Sequence, residues 1–391
     1  MDVSPSASLS DSLSGLRLPV TYCIIGDERQ ARRQADLICI DQTVEAAEEI
    51  IPDGPIRDQL LGRIESFEAA GAGSWIARIS FPVELAQASS VDLLHLVYGT
   101  TSLKRGIRVT RIDLPEQGLD GWTGPRFGQA GLRTLLGISH RPLVCAVLKP
   151  LGLSVRDLAD LAYQFASAGI DLVKDDQGLN DQPFCRFEDR VRACAEAVTH
   201  ANRETGQHCL YAPHIGSALP AARDRALFAK TAGAGALLVC PGLAGYETLR
   251  LLASDQELKL PILSHPALLG TYAVNRETGI APALLYGQLP RLMGADISLY
   301  PTYGGDYVMT REDCLAIART TSEPFGGTRS MFPSAAGRMG FEQIAEMTSV
   351  YGANVVYILG SRIQKHPDGL VNGCRQFIQE ISRSLSSNRQ S

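Results

Sequence analysis

The chain has 391 residues, enough for two domains, and its 45% apolar and 20% charged content is ordinary for a soluble globular protein. A net charge of −5 argues against a general nucleic-acid binder, and no run of about 18 apolar residues predicts a membrane span. The nine scattered cysteines form no Cys-x-x-Cys pair, which indicates reduced, mostly buried thiols in a cytoplasmic protein.

The first third of the chain shows no regular alternation of strands and helices. Residues 1–17 are rich in serine and are predicted to be a disordered tail rather than a signal peptide. Within 18–135, strands are predicted at Tyr22–Gly26 and Ser74–Phe81, and helices at Thr43–Ala47 and Ser90–Tyr98. This mixture predicts a separate α+β N-terminal domain.

Residues 136–381 show a regular rhythm of short apolar runs alternating with helix-like segments. Eight runs are predicted to be strands: Leu143–Lys149, Leu172–Asp176, Cys209–His214, Ala236–Cys240, Ile262–His265, Ile297–Tyr300, Ser330–Pro333 and Val355–Leu359. Helices are predicted at Val155–Ala168 (with Ser154 as N-cap), Phe187–Thr205, Ala218–Ala232 and Phe341–Tyr351. Eight such units predict a (β/α)8 TIM barrel, followed by a disordered tail over 382–391.

Polar residues follow most of these apolar runs, and the carboxyl ends of barrel strands carry the active site. The second run ends in Lys174, Asp175, Asp176 and Gln177, and the first ends in Lys149. Asp176 with a neighbouring oxygen ligand suits a hard cation such as Mg²⁺. A lysine beside a cation is sensible if Lys174 has a lowered pKa and is converted to an anionic carbamate. The alternative is an ion-paired, solvated loop.

Other strand ends supply weaker candidates. His265 is predicted to orient a substrate hydroxyl or to transfer a proton, and His214 is a similar candidate, although a structural histidine is the alternative for each. Ser334 ends the seventh run. Gly337 and the pair Gly360-Ser361 suit a phosphate site, where backbone N–H groups approach oxygen closely, although a glycine-serine pair is often only a turn.

The order of these motifs resembles the ribulose-bisphosphate carboxylase (RuBisCO) large-chain superfamily, and more closely its RuBisCO-like, form IV branch. The match runs from about Ser80 to Gly369. Arg141–Ser154 is similar to the family's first barrel strand, and Gly169–Asp176 followed by Asn180–Phe184 is similar to its carbamylated-lysine and metal motif. Ser264-His265 matches the fifth-strand histidine, and Gly360 with His366-Pro367 matches the phosphate loop.

The resemblance implies a set of roles. Lys174 would be the carbamylated metal ligand, with Asp176 and Gln177 completing a Mg²⁺ site, and Lys149 and His265 would be catalytic. His214, Ser334, Gly337, Gly360 and Ser361 would bind a phosphorylated substrate. Thr100, where the family has an asparagine near the metal, and Thr43, within a segment similar to the N-terminal substrate loop, would come from the partner chain of a head-to-tail homodimer.

The departures from the carboxylase concern the groups that handle CO2. The carboxylase has a second lysine shortly after the one matching Lys149, a glutamate where Gln177 stands, and an arginine where Pro266 stands. Its sixth loop carries a lysine, whereas 302–308 has none. The resemblance therefore implies an enzyme that does not fix CO2.

The function expected from the sequence is a Mg²⁺-dependent enolisation of a phosphorylated keto sugar or keto acid, by an isomerase, tautomerase or decarboxylase. One alternative is a decarboxylase or C–C hydrolase of the 3-oxo-isoapionate 4-phosphate type. Others are a methylthioribulose-phosphate isomerase or enolase in sulfur salvage, and a non-catalytic regulatory homologue.

Overall fold

The structure is a computed structural model that describes residues 9, 12–87, 89–115, 121–304, 307–337 and 340–388. The chain forms two compact units. The first comprises Met1–Thr123, Leu269–Leu289 and Pro324–Thr328, and the second comprises Gly124–Leu268, Pro290–Glu323 and Arg329–Ser391. The sequence places a single boundary after residue 135, whereas the chain returns to the first unit twice. Most of the predicted N-terminal tail lies outside the described residues.

Strands and helices are numbered here in chain order. The strands are β1 (Arg17–Ile25), β2 (Arg63–Gly71), β3 (Ser74–Pro82), β4 (Ile107–Ile112), β5 (Leu143–Leu148), β6 (Leu172–Asp175), β7 (Leu210–Ala212), β8 (Leu237–Val239), β9 (Ile262–Ser264), β10 (Gly279–Ile280), β11 (Ile297–Pro301), β12 (Phe332–Ala336) and β13 (Val356–Leu359). The helices are α1 (Glu28–Asp41), α2 (Ser90–Tyr98), α3 (Gly128–Leu136), α4 (Val155–Ser167), α5 (Phe187–Thr205), α6 (Ala221–Thr231), α7 (Pro241–Ala244), α8 (Tyr246–Ser254), α9 (Leu289–Leu292), α10 (Arg311–Ser322), α11 (Ile344–Tyr351) and α12 (Leu370–Asn388).

The first unit is built on a five-stranded sheet in the order β10-β4-β1-β3-β2. The central strand β1 buries every second residue, as expected for a strand with one face on a core. Its pairing with β3 and β4 is antiparallel, and the short β10 joins β4 in parallel. The prediction of an α+β unit is confirmed, and strand pairing begins at Arg17, inside the predicted tail.

The helix predicted at Thr43–Ala47 is wrong. The helix α1 ends at Asp41, and the chain turns at 42–44. The start of α1 is fixed by a capping box in which Asp27 accepts from the Gln30 N–H and the Gln30 side chain accepts from the Asp27 N–H. The Thr43 hydroxyl donates to the Cys39 carbonyl oxygen at 2.8 Å and so follows the end of the helix instead of beginning a new one.

The second unit is the predicted TIM barrel. Within the described residues, its eight strands form two parallel sheets in the orders β13-β5-β6-β7 and β8-β9-β11-β12. A parallel bridge between His214 and Leu238 links β7 to β8. The Ser334 hydroxyl of β12 donates to the Val356 carbonyl oxygen of β13 at 3.0 Å, which joins the other two edges. Each of the eight predicted runs overlaps a barrel strand, although Ser330–Pro333 shares only its last two residues with β12.

Local signals set the helix bounds of the barrel. Ser154 caps α4 through a capping box with Asp157, as predicted, and α5 spans the predicted Phe187–Thr205. The expected tail from 382 is wrong as far as residue 388, because α12 continues to Asn388. There, the Ser382 hydroxyl donates to the Ile378 carbonyl oxygen, so the serine remains within the helix.

The core of the barrel consists of inward-facing apolar side chains from the strands together with two leucines of α3. Its fully buried members include Leu143, Leu172, Leu238, Leu263 and Ile297. All nine cysteines lie in the described part of the chain and are unpaired, and eight of them are buried. None of the helices among the described residues is long and apolar enough to cross a membrane.

Candidate active site

The end of β6 carries two side chains on one side of the strand and a third on the other. Because side chains alternate along a strand, Lys174 and Asp176 share a side and Asp175 points away from them. Asp175 is fully buried and faces the surrounding helices, where the Arg190 Nε of α5 donates to its Oδ2 at 3.0 Å. The alternation of side chains along β6 therefore places Lys174 and Asp176 on the side of the barrel mouth and Asp175 on the opposite, supporting side.

Asp175 connects three elements below the mouth of the barrel. Besides Arg190, it accepts a hydrogen bond from the Tyr211 hydroxyl at 2.8 Å and another from the His214 backbone N–H at 3.0 Å. A buried carboxylate with this many donors is stable only while all of them are present. Sequence reasoning missed this role, although Asp175 lies inside the motif, since the donors come from distant positions.

Lys174 is 2% exposed, and its Nζ donates to the Asp175 carbonyl oxygen at 3.0 Å. Burial lowers the pKa of Lys174, and the positive charge of Lys149 adds to this effect, although Cys145 and Asp176 oppose it. A lowered pKa increases the fraction of neutral amine, which is the form that reacts with CO2 to give a carbamate.

Asp176 has one carboxylate oxygen without a hydrogen bond. Its Oδ1 is buried and accepts none, and the Lys149 Nζ lies 3.4 Å away. Gln177, the next residue, is partly buried and supplies an amide oxygen. An unsatisfied carboxylate oxygen beside a second oxygen donor fits a hard divalent cation. Among the described residues no group of three or more His, Cys, Asp and Glu side chains is arranged for a metal, and a carbamate or an amide lies outside that set.

His214, immediately after β7, is 4% exposed. Its Nδ1 lies 3.0 Å from the Leu179 carbonyl oxygen, so Nδ1 carries the proton and Nε2 carries the lone pair. Burial lowers the pKa of His214, although the bond to Leu179 opposes the shift. The ring is therefore neutral at physiological pH and has one basic nitrogen.

His265, immediately after β9, has the opposite arrangement. The Ala267 backbone N–H donates to its Nδ1 at 3.2 Å, so the ring proton lies on Nε2. Burial, followed by the positive charges of Lys174 and Lys149 and by His214, lowers the pKa of His265 to about 2. In this arrangement the ring is neutral and presents its Nε2–H as a hydrogen-bond donor.

A cleft of about 460 Å³ opens beside these groups. It is lined by the ends of β6, β7 and β8, and its lining includes Gln177, His214, Ser217, Cys240 and Leu243. Burial raises the pKa of the Cys240 thiol to about 12, so this cysteine is protonated and is not a nucleophile. The cleft and the role of Cys240 in its wall were not predicted, because neither follows from one segment of sequence.

The predicted phosphate residues divide into two groups. Ser334 lies within β12, is fully buried, and uses its hydroxyl proton on β13, so its placement at the mouth is wrong. The strand continues past Pro333, and the first residue beyond it is Gly337, which has a φ of +104°. Gly360 and Ser361 follow β13 directly and are exposed. Phosphate binding by these three residues stays a prediction.

Thr43 and Thr100 belong to the first unit, where Gln42 holds their segments together. The buried Gln42 side chain donates to the His95 and Leu96 carbonyl oxygens and accepts from the Thr101 N–H at 3.0 Å. Thr43 and Thr100, the neighbours of these bonded groups, are both partly exposed. Their contribution to a substrate site stays a prediction.

Comparisons with known proteins place the chain in a family. The model of the ribulose bisphosphate carboxylase large chain, catalytic domain, matches residues 128–385. The 5-methylthioribulose-1-phosphate isomerase of Rhodospirillum rubrum is 31% identical over 371 residues, which cover 95% of this chain and 97% of the relative. A 2,3-diketo-5-methylthiopentyl-1-phosphate enolase of Geobacillus kaustophilus is 33% identical over 317 residues, with 80% and 76% covered.

The fold is also similar to solved structures. The crystal structure of a Rubisco-like protein from Rhodopseudomonas palustris superposes with a TM-score of 0.83 at 33% identity, covering 94% of this chain and 97% of that one. The fold expected from the sequence is thus confirmed by an experimental structure of similar length.

Proposed function

Since this chain belongs to the ribulose bisphosphate carboxylase large-chain family, we propose that it is a Mg²⁺-dependent enzyme that enolises a phosphorylated keto compound without fixing CO2. Two relatives carry the names of an isomerase and an enolase for phosphorylated five-carbon keto compounds. The substrates in these names are the first candidates for this chain.

One observation carries the proposal: a buried lysine with a lowered pKa lies on the same side of β6 as a carboxylate oxygen without a hydrogen bond. The buried Lys174 amine donates one hydrogen bond, to the Asp175 carbonyl oxygen, and has two further N–H positions. The Asp176 Oδ1 has an ion pair with Lys149 but no hydrogen bond, so both groups keep bonding capacity for a ligand. Lys174 as a carbamate, Asp176 and Gln177 would together hold Mg²⁺ through oxygen atoms.

The ion, when bound, would polarise the substrate carbonyl and stabilise the negative charge that develops on its oxygen. The remaining steps belong to side chains of this chain. The Nε2–H of His265 would donate a hydrogen bond to a substrate oxygen, which a neutral ring can do without losing its proton. Lys149, whose Nζ lies 3.4 Å from the Asp176 Oδ1, would position that carboxylate and donate a hydrogen bond to a substrate oxygen.

The substrate phosphate would bind at the ends of β12 and β13. Gly337 and Gly360 lack side chains there, which would let a phosphate oxygen approach the backbone closely, and Ser361 would add a hydroxyl. Carboxylation is not part of the proposal, since Gln177 and Pro266 replace a charged ligand and an arginine of the carboxylase.

We also propose a homodimer in which Thr43 and Thr100 of one chain complete the site of the other. Apolar side chains near the barrel mouth support an interface: Leu151, Phe184 and Leu243 are 48%, 58% and 59% exposed. Light scattering of the purified protein should give twice the mass of the chain, and a monomer would contradict this part of the proposal.

The test of the function uses the purified enzyme with Mg²⁺ and bicarbonate. We expect turnover of 5-methylthioribulose 1-phosphate or 2,3-diketo-5-methylthiopentyl 1-phosphate, followed by ³¹P NMR, and loss of turnover after dialysis against a chelator. Mg²⁺ should restore it. With ¹³C-bicarbonate, a carbamate signal should appear and should be missing in Lys174→Met. Undiminished turnover after chelation would contradict the proposal.

A further inference from the structure

The two histidines at the barrel mouth present different ring nitrogens to their surroundings. His214 has its proton on Nδ1 and a lone pair on Nε2, whereas His265 has its proton on Nε2. Enolisation needs one group that accepts a proton from carbon and another that donates a hydrogen bond to oxygen. The two tautomers match these two tasks.

The position of His214 is fixed from the segment that carries the metal residues. Its backbone N–H donates to the Asp175 Oδ2 at 3.0 Å, and its Nδ1–H donates to the Leu179 carbonyl oxygen at 3.0 Å. Asp175 is itself held by Arg190 and Tyr211. A ring held at the backbone and at one nitrogen keeps its second nitrogen in a fixed direction, which is what a preorganised base requires.

The other groups around the site are poorly suited to accept a proton. The Lys149 Nζ is paired with the Asp176 Oδ1 at 3.4 Å, and the oxygens of a Lys174 carbamate would be bound to the metal. The Cys240 thiol holds its proton up to a pH of about 12 through its raised pKa. Among the described residues that line the cleft, His214 is the one with a basic nitrogen.

We propose that the Nε2 of His214 is the proton acceptor that removes the proton from the carbon next to the substrate carbonyl. The inference rests on the proposed function. The C–H bond breaks, its electron pair forms the C=C bond, and the C=O π pair moves to oxygen to give an enolate, while the proton moves to Nε2 to give an imidazolium. The imidazolium then returns the proton to the neighbouring carbon or to the oxygen, so that His214 ends neutral and no co-reactant is needed.

The competing interpretation is that His214 is a structural residue, which stabilises the fold through the hydrogen bond from its Nδ1–H to the Leu179 carbonyl oxygen. The variant His214→Asn separates the two interpretations, since an asparagine amide can still donate to that carbonyl oxygen but has no basic nitrogen. His208→Asn is the matched control, because His208 is exposed on the segment before β7.

The experiment measures the exchange of substrate carbon-bound protons in D2O by ¹H NMR, with 5-methylthioribulose 1-phosphate and 2,3-diketo-5-methylthiopentyl 1-phosphate as the two compounds. We expect wild type and His208→Asn to exchange at similar rates, and His214→Asn to be slower by about 100-fold or more. Added imidazole should restore exchange in His214→Ala, and more basic imidazoles should restore it better. A purely structural role predicts no such rescue.

The outcomes separate this inference from the proposed function. Exchange by the wild type that persists within about threefold in His214→Asn, without rescue of His214→Ala, overturns the role of His214 and leaves the function intact. A wild-type enzyme that exchanges no proton in either compound overturns both. Thermal unfolding of each variant shows whether a loss of exchange reflects a loss of fold.

Discussion

The carboxylates at the two ends of β6 differ in the hydrogen bonds that they accept. At the amino end, Asp171 is 3% exposed and receives two hydrogen bonds from Arg141, each 2.7 Å long, and a third from the Val144 N–H at 2.7 Å. At the carboxyl end, the Asp176 Oδ1 receives none. Six residues of one segment thus contain a carboxylate with three hydrogen bonds and another whose Oδ1 has an ion pair with Lys149 but no hydrogen bond.

A carboxylate with three hydrogen bonds also lies at the amino end of β11. Asp296 accepts from the Phe127 and Gly128 N–H groups at 2.8 and 2.7 Å and from the Ile262 N–H at 3.1 Å. Asp171 and Asp296 each bond the first residues of a neighbouring element and so join the strands at the closed end of the barrel. The amino end therefore supports stability, and the carboxyl end retains unsatisfied groups for chemistry.

The largest expected effect concerns Lys174, at the carboxyl end of β6. Lys174→Met should reduce turnover by at least about 1,000-fold, because it removes a ligand of the proposed metal. The same variant should be more stable than the wild type at neutral pH, since methionine needs no solvation. Enzyme assays and urea unfolding in CO2-free buffer measure the two effects, and Lys365→Met is the exposed control.

The sign of the pH dependence follows from the lowered pKa of Lys174. The unfolded chain binds the proton more tightly than the folded one, so the stability of the wild type rises with pH up to the unfolded pKa of about 10.4. The unfolding free energy of Lys174→Met should therefore exceed that of the wild type by less at pH 9 than at pH 7. A constant advantage would contradict burial as the cause of the shift.

The next largest effect concerns Asp171, at the amino end of β6. Asp171→Ala leaves the Arg141 guanidinium, 18% exposed, without its partner, and should lower the free energy of unfolding by about 3–5 kcal/mol. Turnover per folded molecule should remain within about twofold, because this end carries no chemistry. The exposed Asp160→Asn on α4 should change stability by less than about 0.5 kcal/mol. Equal losses in both variants would contradict the role given to Asp171.

Sequence predicted the parts of this arrangement that are local. The eight strands are short apolar runs. Lys174 lies near the end of β6 and Asp176 and Gln177 follow it directly, so their common location needs only strand periodicity. His214 and His265 were placed at the mouth for the same reason, and the structure confirms that each follows a barrel strand.

The parts that depend on distant contacts were not predictable. Ser334 was misplaced because β12 passes through Pro333, which lies opposite Ser298 of β11. The support of Asp175 by Arg190 and Tyr211 joins residues from three elements, and the tautomer of His214 depends on the Leu179 carbonyl oxygen. A single sequence contains no signal for such pairs.

A smaller effect compares the two satisfied carboxylates. Asp296 has backbone donors and, in the part of the chain that the structure describes, no ion pair within 4 Å. Burial raises its pKa from 3.8 to about 6, despite those bonds. The folded state then holds the proton more tightly than the unfolded state, so this group stabilises the protein at low pH and loses that contribution as the pH rises through about 6. The difference in unfolding free energy between wild type and Asp296→Asn should fall by about 2 kcal/mol from pH 4 to pH 7. A difference independent of pH would show that Asp296 titrates normally.

The smallest expected effect concerns the affinity for Mg²⁺ at the carboxyl end of β6. Gln177→Glu adds a negative charge beside Asp176, and Mg²⁺ affinity increases with the charge of its ligands, so titration calorimetry in bicarbonate buffer should show roughly tenfold tighter binding. Gln182→Glu is the matched control, because Gln182 lines the same cleft but its amide is already bonded to Gly178 and Asn180. Equal gains in both variants would mean that any charge in the cleft attracts the cation. A gain confined to Gln177→Glu would locate the cation at the end of β6, where the unsatisfied carboxylate of Asp176 needs it.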